Sequence, residues 1–329
     1  MRNYLFAAFI AFLLCVVFLF LLLPLLKRKK AGQEILEYVK EHSYKSGTPT
    51  MGGIAIILAI LIAGLIFGKG KFVYITLAVT AAYGVTGFLD DSIKIHYKRN
   101  LGLRPYQKII LQLSIALIVA FVVYKNELIR GDVYVPFTKN TVSLGWGVVP
   151  LVVFIFIATT NSVNLTDGLD GLAASTTLVY MAGIAAIIAI VAADADKNGL
   201  SLYVREYQGL LTVCFAAVGS LAGFLLFNCF PAKIFMGDVG SLALGGVVAC
   251  VSILGRLSLY IPILGVMFVT SAVSDVIQVV HFKRTKKRVF LMAPFHHHLQ
   301  KKGLSETRIG FLYATITGIV ALICVIVLV

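Results

Sequence analysis

The stretch Tyr4-Leu5-Phe6-Ala7-Ala8-Phe9-Ile10-Ala11-Phe12-Leu13-Leu14-Cys15-Val16-Val17-Phe18-Leu19-Phe20-Leu21-Leu22-Leu23-Pro24-Leu25-Leu26 carries no charged side chain. Crossing the ~30 Å hydrocarbon core of a bilayer as a helix takes roughly 20 apolar residues, and this run suffices alone. It is too long for the apolar region of a cleaved export signal, and no small-residue cleavage site follows it, so it reads as a retained span. The remaining chain has the same character. Of its 329 residues, 59% are hydrophobic and only 13% are charged, and the mean hydropathy is +0.94. A water-soluble domain cannot cover that much apolar surface. Inside lipid, moreover, the backbone polar groups must be satisfied within each segment. The fold class is an all-α polytopic membrane protein, with residues 1–329 read as a single integral membrane domain.

Ten apolar segments follow one another, near 4–26, 51–68, 72–90, 106–124, 147–163, 171–193, 206–228, 239–254, 257–280 and 308–328. The eighth is short and rich in small residues, and its stretch from Gly240 to Gly246 suits close helix packing. The five cysteines lie in or at the edge of apolar runs without paired or metal-ligand spacing, so they read as small packing residues.

The net charge of +14 sits in the connecting loops, which argues for membrane topology rather than nucleic-acid binding. Most lysines and arginines fall in alternate loops, including Lys27 to Lys30, Lys94 to Lys108, and Lys283 to Lys302. The positive-inside bias places these loops in the cytoplasm and both termini on the periplasmic or extracellular side. In the outer loop from Glu127 to Gly145, two short alternating stretches, Val133-Tyr134-Val135 and Thr141-Val142-Ser143-Leu144, suggest a small β-hairpin.

A carboxylate near lipid costs roughly 2.5–3.5 kcal/mol at a helix centre on insertion scales, so its position asks for a reason. Asp90 and Asp91 end the third segment, Asp167 and Asp170 lie between the fifth and sixth, and Asp238 opens the eighth. All of them fall on the side assigned to the cytoplasm. Helix capping is the competing explanation for each one alone. Together they offer hard oxygen ligands of the kind that hold Mg²⁺ alongside phosphate oxygens. Asp167 and Asp170, three apart, are expected to share a face. Lys45, ahead of Gly47-Thr48-Pro49-Thr50-Met51-Gly52-Gly53, makes an anion site at a helix start, or an ordinary turn. Asn164 and Asn228 lie near the aspartates as polar contacts or caps. His296-His297-His298 follows the ninth segment; one or two of these imidazoles could contact phosphate or move protons, and a solvated loop is the alternative. Asp275, inside the ninth segment, is left out of the site.

In chain order, Thr48-Pro49-Thr50-Met51-Gly52-Gly53, Asp90-Asp91, Asn161 to Gly171, Phe235-Met236-Gly237-Asp238-Val239-Gly240-Ser241 and Ala293-Pro294-Phe295-His296-His297-His298 make five ordered motifs. Together they resemble the phospho-N-acetylmuramoyl-pentapeptide transferase family, within the polyprenyl-phosphate N-acetylhexosamine-1-phosphate transferase superfamily. The resemblance covers residues 45 to 303 and implies ten helices with both ends outside. It implies transfer of phospho-N-acetylmuramoyl-pentapeptide from UDP-N-acetylmuramoyl-pentapeptide to undecaprenyl phosphate, giving lipid I and UMP in peptidoglycan synthesis. Mg²⁺ would be the cofactor, and the site would face the cytoplasm from the bacterial inner membrane.

By motif, Asp238 would be the main metal ligand. Asp90 would act at the lipid phosphate as base or nucleophile, with Asp91 beside it. Lys45, Thr50, Asn164, Asp167 and Asp170 would line the nucleoside and diphosphate pocket. Phe235 would stack on uracil near Asn228, and His296, His297 and His298 would supply phosphate or sugar contacts. Two positions depart from the family pattern: Gln300 stands where an acidic residue is common, and Gly303-Leu304 where Gly-Trp is common. A sister enzyme moving GlcNAc-1-phosphate from UDP-GlcNAc would share the aspartates, and Pro294-Phe295-His296-His297-His298 favours the muramoyl-pentapeptide enzyme. A secondary transporter would carry its carboxylates at mid-depth, and an intramembrane aspartyl protease fits five aspartates poorly. A homodimer is compatible with the sequence.

Overall fold

Apolar sequence becomes helix through almost the whole chain, as a computed structural model shows for residues 2–28, 47–97, 101–138 and 140–329. The helices are α1 (Arg2–Arg28), α2 (Gly53–Phe67), α3 (Lys71–His96), α4 (Pro105–Lys125), α5 (Val148–Thr166), α6 (Leu172–Lys197), α7 (Ser201–Asn228), α8 (Gly237–Leu254), α9 (Ile261–Leu264), α10 (Val266–Thr285), α11 (Phe295–Lys301) and α12 (Glu306–Leu328). Among the described residues nine are long and apolar enough to cross a membrane, and α2 is a shorter apolar helix. At 1.5 Å per residue, the 15 residues of α2 span about 22 Å, less than the hydrocarbon core.

Three expected boundaries move. The third helix runs on past residue 90 to His96, so Asp90 and Asp91 lie inside it and Lys94 joins them. The expected segment 257–280 breaks. Its first residues make a single 3₁₀ turn and the four-residue α9, which has Pro262 in its first turn and ends at Gly265. The crossing helix α10 starts only at Val266. A proline ring cannot continue a preceding helix but fits the start of a new one, which accounts for the start of α9, while the interruption before α10 falls at Gly265. The residues from Asp167 to Gly171 are a turn between α5 and α6, so Asp167 and Asp170 do not share a helix face.

At the end of the bundle away from the aspartates, β1 (Asp132–Tyr134) pairs antiparallel with β2 (Thr141–Ser143), with Tyr134 opposite Thr141. Arg256 ties this hairpin down. Its guanidinium bonds Asp132 at 3.0 Å and lies 5.1 Å over the Tyr134 ring. At the same end the buried Glu206 of α7 accepts the first backbone N–H groups of α3, from Lys71 at 3.0 Å and Phe72 at 2.8 Å. These two donors belong to the open first turn of a helix.

The centre of the bundle is α8, which is buried almost along its whole length. Small residues let its neighbours approach. Gly87 of α3 lies directly on the backbone of Asp238 and Val239, and a Cβ there would overlap the Asp238 carbonyl. Gly53 of α2 meets Gly240 in the same backbone-to-backbone way. Gly87→Leu forces α3 away from the start of α8 and is expected to destabilise the protein by about 3 kcal/mol, the upper end for overpacking. A thermal-unfolding midpoint equal to wild type in detergent would show that the two helices are not held this close.

Candidate active site

One carboxylate organises the site. Asp238 lies in the first turn of α8, and its side chain does not cap that helix. Instead its Oδ2 accepts from Lys94 Nζ at 2.9 Å and Lys108 Nζ at 2.8 Å, while its Oδ1 accepts from Asn164 Nδ2 at 2.8 Å. These partners come from α3, α4 and α5, three helices that end or begin on this side of the bundle. Asn164 also reaches Ser241 Oγ at 2.8 Å, one turn along α8.

Asp90 and Asp91 approach from α3, both 3% exposed. Lys94, one turn further on, lies 2.6 Å from Asp90 Oδ2 and 3.7 Å from Asp91 Oδ1. Asp91 Oδ2 accepts from Val239 N at 3.0 Å, and Asp90 Oδ1 accepts from Leu103 N at 2.9 Å. Oxygens of Asp90, Asp91 and Asp238 all lie within 4.8 Å of one another. Three carboxylates packed this closely need positive charge among them, because buried anions are tolerated only when paired. The Lys94 ammonium stands where a cation would, and an all-carboxylate donor set suits a hard divalent ion.

The turn after α5 carries the other aspartates. Asp167 ends α5, and its carboxyl is pushed up to about 8, first by desolvation and then by the charges of Asp238, Asp91 and Asp170. Asp170 is turned toward the framework. Its Oδ2 accepts from Ala232 N at 2.9 Å, and its own N–H donates to Glu306 Oε2 at 3.1 Å. Asn228 is buried and also spent on backbone, accepting from Gly171 N at 3.1 Å and donating to the Ile234 carbonyl at 2.9 Å. Together these bonds fasten the turn to the α7–α8 connection and to α12.

The histidines form the short helix α11 rather than a loop. Successive residues on a helix point about 100° apart, and the three imidazoles diverge accordingly. His296 and His297 bring their rings to 4.3 Å and both close on Gly168, where a Cβ would overlap the His296 ring. The histidine helix is thereby docked on the aspartate turn. His298 faces the other way, with its Nδ1 accepting from Leu291 N at 3.1 Å and its ring stacked on Phe295. Desolvation and then the Lys302 charge hold its pKa below the ordinary value, and with Nδ1 accepting, the neutral ring carries its proton on Nε2.

Thr50 is buried beside Gly237, where its Oγ1 and Asp91 Oδ2 close on the same glycine. The half-exposed Phe235 is held by backbone pairing with the Thr48–Gly53 segment, through Phe235 N to the Pro49 carbonyl at 2.8 Å and Gly52 N to the Phe235 carbonyl at 2.9 Å. Lys45 lies outside the described residues. Sequence reasoning left Lys94, Lys108, Ser241 and Glu306 out of the site. Lys94 had a signal, its four-residue spacing from Asp90; nothing local marks Lys108 or Glu306.

A glycosyl transferase family 4 model matches residues 72–256, and a phospho-N-acetylmuramoyl-pentapeptide-transferase signature matches residues 45–57. A phospho-N-acetylmuramoyl-pentapeptide-transferase of Clostridioides difficile is 42% identical over 98% of this chain and 96% of its own length. The proteins of that name from Geobacillus kaustophilus and Bacillus cereus are 45% and 43% identical, over 91% and 96% of this chain and 90% and 97% of their own lengths.

The chain belongs to the phospho-N-acetylmuramoyl-pentapeptide-transferase family. It is therefore a transferase, and its apolar helices make it a multi-pass membrane protein. The family-model match takes in Asp90, Asp91, Asn164, Asp167 and Asp238 along with Lys94 and Lys108. Of the two departures from the transferase pattern, Gln300 lies on α11, 3.3 Å from His297 Nδ1, and Leu304 packs with Leu169 and Ile309. A neutral amide thus stands beside His297.

Proposed function

We propose that this chain transfers phospho-N-acetylmuramoyl-pentapeptide from its UDP carrier to undecaprenyl phosphate, producing lipid I and UMP. The reading takes residues 1–329 as one domain in the bacterial cytoplasmic membrane with the site facing the cytoplasm. The observation that carries it is the meeting of Asp90, Asp91 and Asp238 around ammonium groups at one end of the bundle. Phosphoryl transfer asks a protein mainly for positioning and charge neutralisation, and this cluster is built for both.

Asp238, with Asp90 and Asp91 beside it, would hold Mg²⁺. Bound there, the ion supplies charge stabilisation to the diphosphate and the departing UMP. Lys94 and Lys108 are free to turn from the carboxylates to phosphate oxygens as donors. Asp90 acts at the lipid phosphate as base or nucleophile. Asn164, Thr50, Asp167, His296 and His297 line the diphosphate and sugar side, and Phe235 offers an aromatic face to the uracil. Asp170 and Asn228 serve the same pocket by holding its turn.

The test is UMP release by purified protein from UDP-N-acetylmuramoyl-pentapeptide, with and without polyprenyl phosphate and Mg²⁺, and with UDP-GlcNAc as the competing donor. Release only with the muramoyl donor, the lipid phosphate and the ion supports the reading. Release from UDP-GlcNAc alone refutes it.

The raised pKa of Asp167 gives a second check on the ion. At pH 7 a carboxyl near 8 is mostly protonated. A dication among the neighbouring aspartates replaces repulsion by attraction and favours the ionised form. Saturating Mg²⁺ at pH 7 is therefore expected to release protons, measured in weak buffer, and Asp167→Asn lowers the number released. Binding without proton release in the wild type would contradict the placement.

A further inference from the structure

Below the carboxylates, two side-chain amides face each other between helices. Asn161 Nδ2 of α5 donates to Gln112 Oε1 of α4 at 2.8 Å, and Gln112 Nε2 returns a longer bond to Asn161 Oδ1 at 3.5 Å. The second hydrogen on Asn161 Nδ2 goes to the Ile157 carbonyl at 2.8 Å. Gln112 is 0% exposed, and its backbone carbonyl accepts the Tyr83 hydroxyl of α3 at 3.1 Å. A fully buried amide among apolar helices costs free energy unless it is bonded. Packing alone would be served by leucine at both positions.

What lies above the pair gives it a use. Lys108 is one turn from Gln112 on α4, and Asn164 is three residues from Asn161 on α5, so each shares a face with its amide. Those two residues grip opposite oxygens of Asp238, Lys108 at Oδ2 and Asn164 at Oδ1. From this geometry we infer that Gln112 and Asn161 are positioning residues, whose mutual bond fixes the separation and register of α4 and α5 and thereby the two-sided grip on Asp238. The inference rests on the transferase reading for its effect on turnover, but the grip itself has a readout that needs no substrate.

A lysine amine held at 2.8 Å against a largely buried carboxylate is shielded by that contact and meets acylating reagents slowly. Residue-resolved acetylation of the purified protein therefore reports whether Lys108 is held. Gln112→Met and Asn161→Leu each raise Lys108 modification at least threefold. They also lower kcat for UMP release by about 10- to 100-fold, the size expected from an ångström-scale misplacement, with KM for the nucleotide within about threefold. The exchanged pair Gln112→Asn with Asn161→Gln keeps one bond across the helices and recovers both values to within about threefold of wild type. The doubly apolar pair Gln112→Met with Asn161→Leu leaves no orphaned amide, so its thermal midpoint returns while kcat stays low and Lys108 stays reactive.

A merely structural role predicts that kcat recovers together with the midpoint in the doubly apolar pair, and that result overturns the inference. So does wild-type Lys108 reactivity in the single variants. If the wild type releases no UMP while the acetylation pattern holds, it is the transferase reading that fails and the grip that stands.

Discussion

Asp238→Asn abolishes transfer at saturating Mg²⁺, lowering kcat by about 10³-fold or more, equivalent to about 4 kcal/mol of lost transition-state stabilisation. The substitution keeps the shape of the side chain and removes its charge. In the wild type one oxygen faces two ammoniums, Lys94 at 2.9 Å and Lys108 at 2.8 Å, and the other faces the Asn164 amide at 2.8 Å. An asparagine can answer only one of these sides. If its oxygen turns to the lysines, its NH₂ meets the Asn164 NH₂; if it turns to Asn164, its NH₂ meets two cations. Either way the grip from α3, α4 and α5 is lost on at least one side, and the cluster loses the carboxylate proposed as main metal ligand. Steady-state UMP release on folded protein, checked by its thermal midpoint, decides the matter. Turnover within tenfold of wild type would remove Asp238 from the metal site.

Much of this arrangement is legible in the sequence because membranes make charge conspicuous. The apolar runs mark the helices, and the aspartates stand out as the few acids at their ends, on one side by chain direction. What the sequence obscures is where a helix stops. A run of hydrophobic residues ends at Asp90, but the hydrogen-bonded helix continues to His96, since helix geometry needs backbone bonds and not apolar side chains. Placing the boundary at the charge puts Lys94 in a loop and hides its one-turn relation to Asp90. Pro262 and Gly265 inside an apolar run are the reverse case, a break that hydropathy alone reads through.

The tertiary partners had no local signal at all. The bond between Asp170 N and Glu306 Oε2 joins residues 136 positions apart. Asn228 is a polar residue near the motifs, but its amide is consumed by Gly171 and Ile234. In a sequence, such a framework residue and a ligand-facing one look alike. The histidine run is legible as a motif, whereas the divergence of its three rings follows only from its being helical.

Lys94→Met is expected to separate ion binding from turnover. The Lys94 ammonium touches all three carboxylates, Asp90 at 2.6 Å, Asp238 at 2.9 Å and Asp91 at 3.7 Å. Without an added cation, its removal leaves three close carboxylates with Lys108, among the described residues, as the only ammonium against Asp238, and loss of a buried charge partner is strongly destabilising. The metal-free variant therefore unfolds at a lower temperature than wild type. A divalent ion then no longer competes with the ammonium for the same oxygens, so its affinity rises by about tenfold, worth about 1.4 kcal/mol. Saturation with the ion restores the thermal midpoint by binding only the folded state. Transfer is not restored, because a methionine cannot donate to a phosphate oxygen; kcat stays about 10²-fold down. Calorimetric titration with Mg²⁺ and Mn²⁺, run beside UMP release, reads both quantities on one sample. Weaker ion binding in the variant would mean that Lys94 organises the carboxylates for the ion instead of standing in its place.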